Sequence, residues 1–242
     1  MAVSRDAEAL EFRKRMKMSA YCETGTNHMT NMTRGRFLCL FLVAGISSIC
    51  RAGDVTEDDE GFVSIFNGKD FSGWVSMGEM AGWQIKDGKI RSEGETGGYW
   101  LRAEEKYYNY ILKVDWKISK GGNSGVYIRS AKEGIPWETG YEVQISNAPR
   151  DDLHCTGSLY GHAAVDPRPD ETSDKWHTFE LRCEGNHITV TSDGVKCVSF
   201  DQSTADKSKD KALEGYIGLQ DAHASRGHYV EYRNIRIKVL DK

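Results

Sequence analysis

WHTFELRCEGNHITVTSDGVKCVSF, running from Trp176 to Phe200, is the stretch that decides the fold. Apolar and polar residues alternate along it, and alternation puts successive side chains on opposite faces of an extended chain. Two turn signals cut the pattern. Asp193-Gly194 stands where a two-residue hairpin requires positive φ, and Glu184-Gly185-Asn186 marks a slightly longer loop. The reading is a three-stranded antiparallel meander with strands over 177–184, 187–191 and 196–200. Cys183 and Cys197 then sit on its first and third strands, roughly 9–10 Å apart and beyond disulfide reach.

The same pattern extends in both directions. Further strands are read at 62–66, 83–86, 89–92, 99–102, 110–118, 125–130, 141–145, 216–220 and 229–239, with Asp87-Gly88 as another hairpin turn. No helical period of about 10–15 residues separates them, so a βαβ architecture is not expected. Residues 205–212 are the best place for a small helix or an ordered loop. The expectation is an all-β protein, a two-sheet antiparallel β-sandwich of the jelly-roll kind, in one domain over 61–242.

Composition agrees. The 242 residues include 25 Gly, only 4 Pro, 11 Tyr and 6 Trp, which suits a turn-rich β protein. A chain this long buries a core without disulfides. Of six cysteines (Cys22, Cys39, Cys50, Cys155, Cys183 and Cys197), only the last three lie in the expected domain; they fit no metal spacing and are expected to be free, mostly buried thiols. Residues 1–52 carry eight Lys/Arg against four Asp/Glu, so the remainder of a chain of net charge −4 is at −8. An acidic domain without a basic stripe argues against a nucleic-acid partner.

The N-terminal region reads as an export signal. Basic Thr33-Arg34-Gly35-Arg36 precedes an apolar run from Phe37 to Ile49, then Cys50-Arg51-Ala52. That run is shorter than the about 20 residues a bilayer span needs, so cleavage near Ala52 and no transmembrane span in the mature protein are expected. A periplasmic or extracellular location follows. Residues 1–36 combine a mis-called start, or a disordered extension, with the signal n-region; Met29 or Met32 fits as the true start. The h- and c-regions occupy 37–52, and 53–60 is an acidic linker.

Six segments, in order, resemble the 3-keto-disaccharide hydrolase family. They are Phe66-Asn67-Gly68-Lys69-Asp70 with Gly73-Trp74; Gly121-Gly122-Asn123-Ser124-Gly125-Val126-Tyr127-Ile128-Arg129; and Gly140-Tyr141-Glu142-Val143-Gln144-Ile145. Thr156-Gly157-Ser158-Leu159-Tyr160-Gly161, Gly218-Leu219-Gln220 and Tyr232-Arg233-Asn234-Ile235-Arg236-Ile237 complete the set. The resemblance implies a concanavalin A-like sandwich with a sugar site on its concave sheet. It also implies cleavage of glycosides already oxidised to a ketone at C3, with a carbohydrate as the substrate partner.

Alternation sorts the candidate residues. Val126, Ile128, Val143, Ile145 and Leu219 read as core, which places Tyr127, Arg129, Glu142, Gln144 and Gln220 on the opposite face. Outward faces of antiparallel sheets are ordinarily polar and solvated, and the pattern alone does not separate that reading from a site. The resemblance favours the site for Glu142, Gln144 and Arg129. His154 lies in a polar loop entering the Thr156–Gly161 segment, and a loop His moves protons near neutral pH. Asn123, Trp137 and Tyr160 complete the binding set, the two aromatics as stacking platforms, and His223 is a secondary candidate.

The chemistry implied is elimination. A C3 ketone acidifies the C2 hydrogen, a base removes it, the C1 substituent departs and water adds back. Glu142 and His154 are assigned to proton transfer in unresolved order, and Arg129 to the developing enolate or to orienting Glu142. An ordinary glycosidase needs two carboxylates about 5–10 Å apart, and Glu138 and Asp152 are the only, loop-borne, seconds. The alternative is a non-catalytic, lectin-like carbohydrate-binding module. No zinc or EF-hand spacing is present and no cofactor is expected, although a divalent metal held by scattered Glu, His and Asp would leave no spacing signature.

Overall fold

The computed structural model describes residues 60–223 and 225–241. The expected export signal, its cleavage point, residues 53–59 of the linker and Cys22, Cys39 and Cys50 lie outside the described residues. The elements are β1 (Val63–Ser64), β2 (Trp74–Ser76), β3 (Trp83–Lys86), β4 (Lys89–Glu93), β5 (Trp100–Tyr107), β6 (Tyr110–Ile118) and β7 (Asn123–Ser130). A one-turn helix α1 (Pro136–Thr139) follows, then β8 (Tyr141–Ser146), β9 (His177–Glu184), β10 (His187–Ser192), β11 (Val195–Asp201), β12 (Gly215–Gln220) and β13 (Tyr229–Val239). No helix among the described residues is long and apolar enough to cross a membrane.

Two antiparallel sheets form the sandwich. The larger has the order β11-β10-β9-β6-β13-β4-β3 with β1 beside β13, and the smaller has β2-β5-β12-β7-β8. The meander is present as β9-β10-β11. Its Asp193-Gly194 turn has φ of 48° and 80°, and Asp87-Gly88 between β3 and β4 has 50° and 71°. Both residues of each pair are left-handed, as the right-handed strand twist demands of a tight hairpin.

Alternation sets the packing. Along β6, Tyr110, Leu112, Val114, Trp116 and Ile118 are buried while the residues between them are partly exposed. β13 keeps its apolar residues inward by a bulge: Val230 and Tyr232 face the core, Asn234 takes φ of 50°, and inward facing resumes at Ile235 and Ile237. Cys155, Cys183 and Cys197 are free and buried. Burial pushes all three thiols up, Cys155 to about 11, which keeps them protonated and unreactive.

The smaller sheet differs from the larger. Every residue of β8 and β12 is buried, and so is all of β7 after Asn123. Its polar outer face is therefore withdrawn from bulk water rather than solvated. The two sheets are sewn together beneath it. Ser124 Oγ donates to the Gln220 carbonyl at 2.8 Å and lies 2.7 Å from the Tyr232 hydroxyl, which also reaches the Gly125 and Gln220 carbonyls at 3.1 Å.

Alternation fails at one residue of consequence. Arg129 has φ of 56°, and between Tyr127 and Ser130 the pairing with β12 slips by a residue. A bulge of this kind turns a side chain to the other face. The Arg129 guanidinium accordingly runs into the interior, with Nη1 2.8 Å from Gln202 Oε1 and Nη2 2.6 Å from the Gly185 carbonyl. Arg129 was expected on the outer face and is not there. Two glycines make the bulge possible: a Cβ at Gly140 would sit 2.3 Å from the Ile128 carbonyl, and one at Gly215 would sit 2.4 Å from the Arg129 carbonyl carbon.

Sequence reading missed β2, α1 and two 3-10 turns at Met80–Gly82 and Gln202–Thr204, each too short to show a period. Residues 205–212 are an ordered loop of turns rather than a helix. Replacing Tyr232 by Phe leaves buried carbonyls short of a donor. The substitution should lower the unfolding free energy by about 2 kcal/mol, read as a lower urea midpoint at unchanged slope.

Candidate functional site

The site is a matter of cross-strand register. Tyr127 on β7 pairs with Glu142 on β8 and with Gly218 on β12; Gly125 pairs with Gln144; and Gln220 pairs with Trp100 on β5. Residues paired across a sheet share a face, so these seven residues pave one surface. Two of the glycines are spaces that large side chains fill. A Cβ at Gly218 would meet the Trp100 ring at 2.3 Å, and one at Gly125 would meet Glu142 Oε1 at 2.7 Å and its Cγ at 2.8 Å. Glu142 thus lies across Gly125, and Trp100 lies across Gly218.

The walls come from the segments next to β8 and β12. The Tyr160 N–H donates to the Glu142 carbonyl and the Gln144 N–H to the Ser158 carbonyl, which runs the Thr156–Gly161 segment along β8 and brings Tyr160 to its face. Trp137, on α1, has its ring 6.3 Å from that of Tyr127 at an interplanar angle of 29°, and Trp100 stands edge-on to Tyr127. Beyond β12, the Asp221 carboxylate accepts the Tyr99 N–H at 2.9 Å and the His223 N–H donates to the Asp221 carbonyl, fixing the turn that carries His223.

Together these residues bound a small cleft, partly open to solvent, lined by Asn123, Trp137, Glu142, Gln144, Tyr160, Gln220 and His223. The polar groups are poised for a ligand. Gln220 Oε1 and Asn123 Oδ1 are buried and have no hydrogen-bond partner, while Gln144 commits its Oε1 to the Ile145 N–H and retains its amide donors. Buried polar atoms are ordinarily paired, and an unpaired pair of acceptors in a cleft is a demand for O–H or N–H donors.

Of the expected residues, Asn123, Trp137, Glu142, Gln144, Tyr160 and Gln220 come together here. Tyr127 lies on the expected face but beneath the cleft, fully buried under Trp137. His154 does not line it. Its Nδ1 is 2.7 Å from Asp151 Oδ1 and its ring packs edge-on against Tyr160, whose ring stands on the cleft side. Arg129 is excluded by its bulge. The imidazole that does line the cleft is His223, the secondary candidate of the sequence reading. Neither Glu138 nor Asp152 lines the cleft, and Asp152 pairs with Arg168 at 3.1 Å.

Asp170, His177 and Asp193 approach within 4.8 Å of one another, a grouping of the kind that holds a metal. Their donor atoms are engaged by protein. His177 Nδ1 lies 2.7 Å from Asp193 Oδ2 and Nε2 lies 2.9 Å from the Thr172 carbonyl, with the ring stacked on Trp116. Lys175 bonds Asp170 at 2.7 Å and, with Thr172, holds that carboxyl far below the usual range. This cluster is an ion-pair brace of the larger sheet and does not fit a metal.

Fold and cleft together define the class: a concanavalin-like β-sandwich with an aromatic-walled polar cleft on the outer face of its smaller sheet. Residues 61–238 match the family described as "3-keto-alpha-glucoside-1,2-lyase-like domain", and the chain belongs to that family. It is 27% identical to the 3-keto-disaccharide hydrolase of Bacteroides thetaiotaomicron, across 76% of this chain and 80% of that protein. A candidate glycosyl hydrolase from Parabacteroides distasonis superposes with a TM-score of 0.65 at 27% identity, covering 75% of this chain and 95% of that one. A second from the same species, 22% identical over 74% of this chain and 99% of its own, has a TM-score of 0.62 and shares the fold. By family the protein is a glycoside-acting enzyme.

Gly125→Ala tests the register reading. The nearest atoms to its methyl are the Glu142 side chain from Cγ to Oε1 and none is backbone, so the variant should fold with the Glu142 side chain, carboxylate included, displaced in its crystal structure. An unmoved carboxylate would contradict the placement of Glu142 over Gly125.

Proposed function

We propose that the protein cleaves the glycosidic bond of 3-keto glycosides by elimination and rehydration. The observation that carries this is the composition of the cleft: one carboxylate, Glu142, one imidazole, His223, and amide groups, between the rings of Trp137 and Tyr160. A direct glycosidase uses a second carboxylate on the same bond, and among the described residues the cleft lining offers only Glu142. Elimination requires one base, one acid and hydrogen bonds to an enolate, and this lining supplies that set.

Glu142 takes the proton from C2 of the keto sugar. The C2–H electrons form the C1=C2 bond as the C1–O bond breaks, through an enolate whose negative charge rests on the C3 oxygen. His223, in its protonated form, gives its proton to the departing oxygen. Water then adds across C1=C2, its oxygen to C1 and a proton to C2, which gives the free 3-keto sugar. Arg129 cannot serve the enolate from the interior, and the Gln144 amide donors take that role. Gln220 Oε1 and Asn123 Oδ1 accept from sugar hydroxyls, and Trp137 and Tyr160 flank the ring.

The export expected from the N-terminal region agrees with a substrate met outside the cytoplasm. With a 3-keto-glucoside as substrate and products followed by NMR, Glu142→Gln and His223→Gln should each lose at least about 100-fold in turnover. His154→Gln should retain turnover within about threefold, since its ring lies behind Tyr160. Sugar binding by the wild type with no turnover would replace the enzyme reading by that of a binding module.

A further inference from the structure

Arg129, expected in the site and found outside it, leads to a second layer of the site. Its Nη1 donates to Gln202 Oε1, which also accepts the Tyr141 hydroxyl at 3.2 Å. The Gln202 amide nitrogen donates in turn to the Lys211 carbonyl at 2.8 Å and lies 3.4 Å from that of Ser208. Gln202 is fully buried, so this amide has a single well-determined setting. The loop that ends at Lys211 is thereby tied to the bulge on β7.

Lys211 then reaches back to α1. Its Nζ lies 2.7 Å from the Glu138 carbonyl, 2.6 Å from that of Gly140 and 3.3 Å from that of Trp137, with the ammonium 4.9 Å from the centre of the Tyr141 ring. A single helical turn cannot stand by its own hydrogen bonds, and its terminal carbonyls need donors from elsewhere. Lys211 supplies them with a full positive charge. Trp137 is a wall of the cleft, whereas Lys211, Gln202 and Arg129 are absent from its lining.

We propose that Lys211, itself held through Gln202 by Arg129, is a positioning residue that sets the Trp137 ring as a sugar-stacking wall, so that a side chain with no atom in the cleft determines substrate affinity. The stacking role rests on the function proposed above; the positioning of Trp137 does not. The two are tested separately on the full chain carrying Lys211→Met, which keeps an apolar stem over Tyr141 and removes the ammonium.

Fluorine-19 NMR of protein labelled with fluorotryptophan, with the Trp137 line assigned from Trp137→Phe, reads position without any substrate. Lys211→Met should shift and broaden that line while those of buried Trp83 and Trp116 stay in place; an unmoved Trp137 line overturns the proposal. Kinetics with a 3-keto-glucoside read the consequence. KM should rise about fivefold to tenfold with kcat within about twofold, and Lys211→Met combined with Trp137→Ala should be no worse than Trp137→Ala alone. Effects that multiply in the double variant overturn it. Absence of turnover in the wild type would strike the functional reading and leave the fluorine spectrum to decide this one.

Discussion

The structure turns on one constraint: the central strands of the smaller sheet are buried on both faces. A sheet face covered by its own walls cannot leave polar groups to bulk water, so an unpaired group on it is costly until a ligand pairs it. Gly125 and Gly218 carry no side chains because Glu142 and Trp100 lie across them. Gln220 and Asn123 hold carbonyl oxygens that no protein donor reaches. Both oxygens line the cleft, and under the proposed function sugar hydroxyls are the donors that satisfy them.

The bulge at Arg129 serves the same sheet from behind. Turning a guanidinium inward puts a charge in the sandwich interior, which is tolerable only with good acceptors, and Gln202 and the Gly185 carbonyl are the acceptors. What results is a path of hydrogen bonds from the turn between β9 and β10, through Arg129 and Gln202, to Lys211 and the one-turn helix bearing Trp137. Two glycines, Gly140 and Gly215, clear the space for this bend, and either with a methyl group would strike backbone rather than a flexible side chain.

Much of this was legible in the chain itself. Alternation and Asp-Gly turns located twelve strands, because a period of two is written locally and a hairpin turn needs residues that accept positive φ. The facing of Tyr127, Glu142, Gln144 and Gln220 followed from the same period. Arg129 was misplaced because a bulge depends on its neighbours: nothing in Tyr127-Ile128-Arg129 declares it, and the clue lies in the distant Gly140 and Gly215. His154 was favoured over His223 because it stands beside a family segment, yet adjacency in sequence does not say which side of Tyr160 a ring occupies. The short α1 and the grip of Lys211 on it, between residues far apart in sequence, leave no local pattern at all.

The central claim is that bond cleavage passes through loss of the C2 hydrogen. Running the reaction of the purified protein on a 3-keto-glucoside in deuterium oxide tests it most directly, with the released sugar read by NMR and mass spectrometry against an enzyme-free control. Elimination and rehydration place solvent deuterium at C2 of every product molecule. A product that keeps its original C2 hydrogen would mean that the C1–O bond is broken directly, and Glu142 would then need another role.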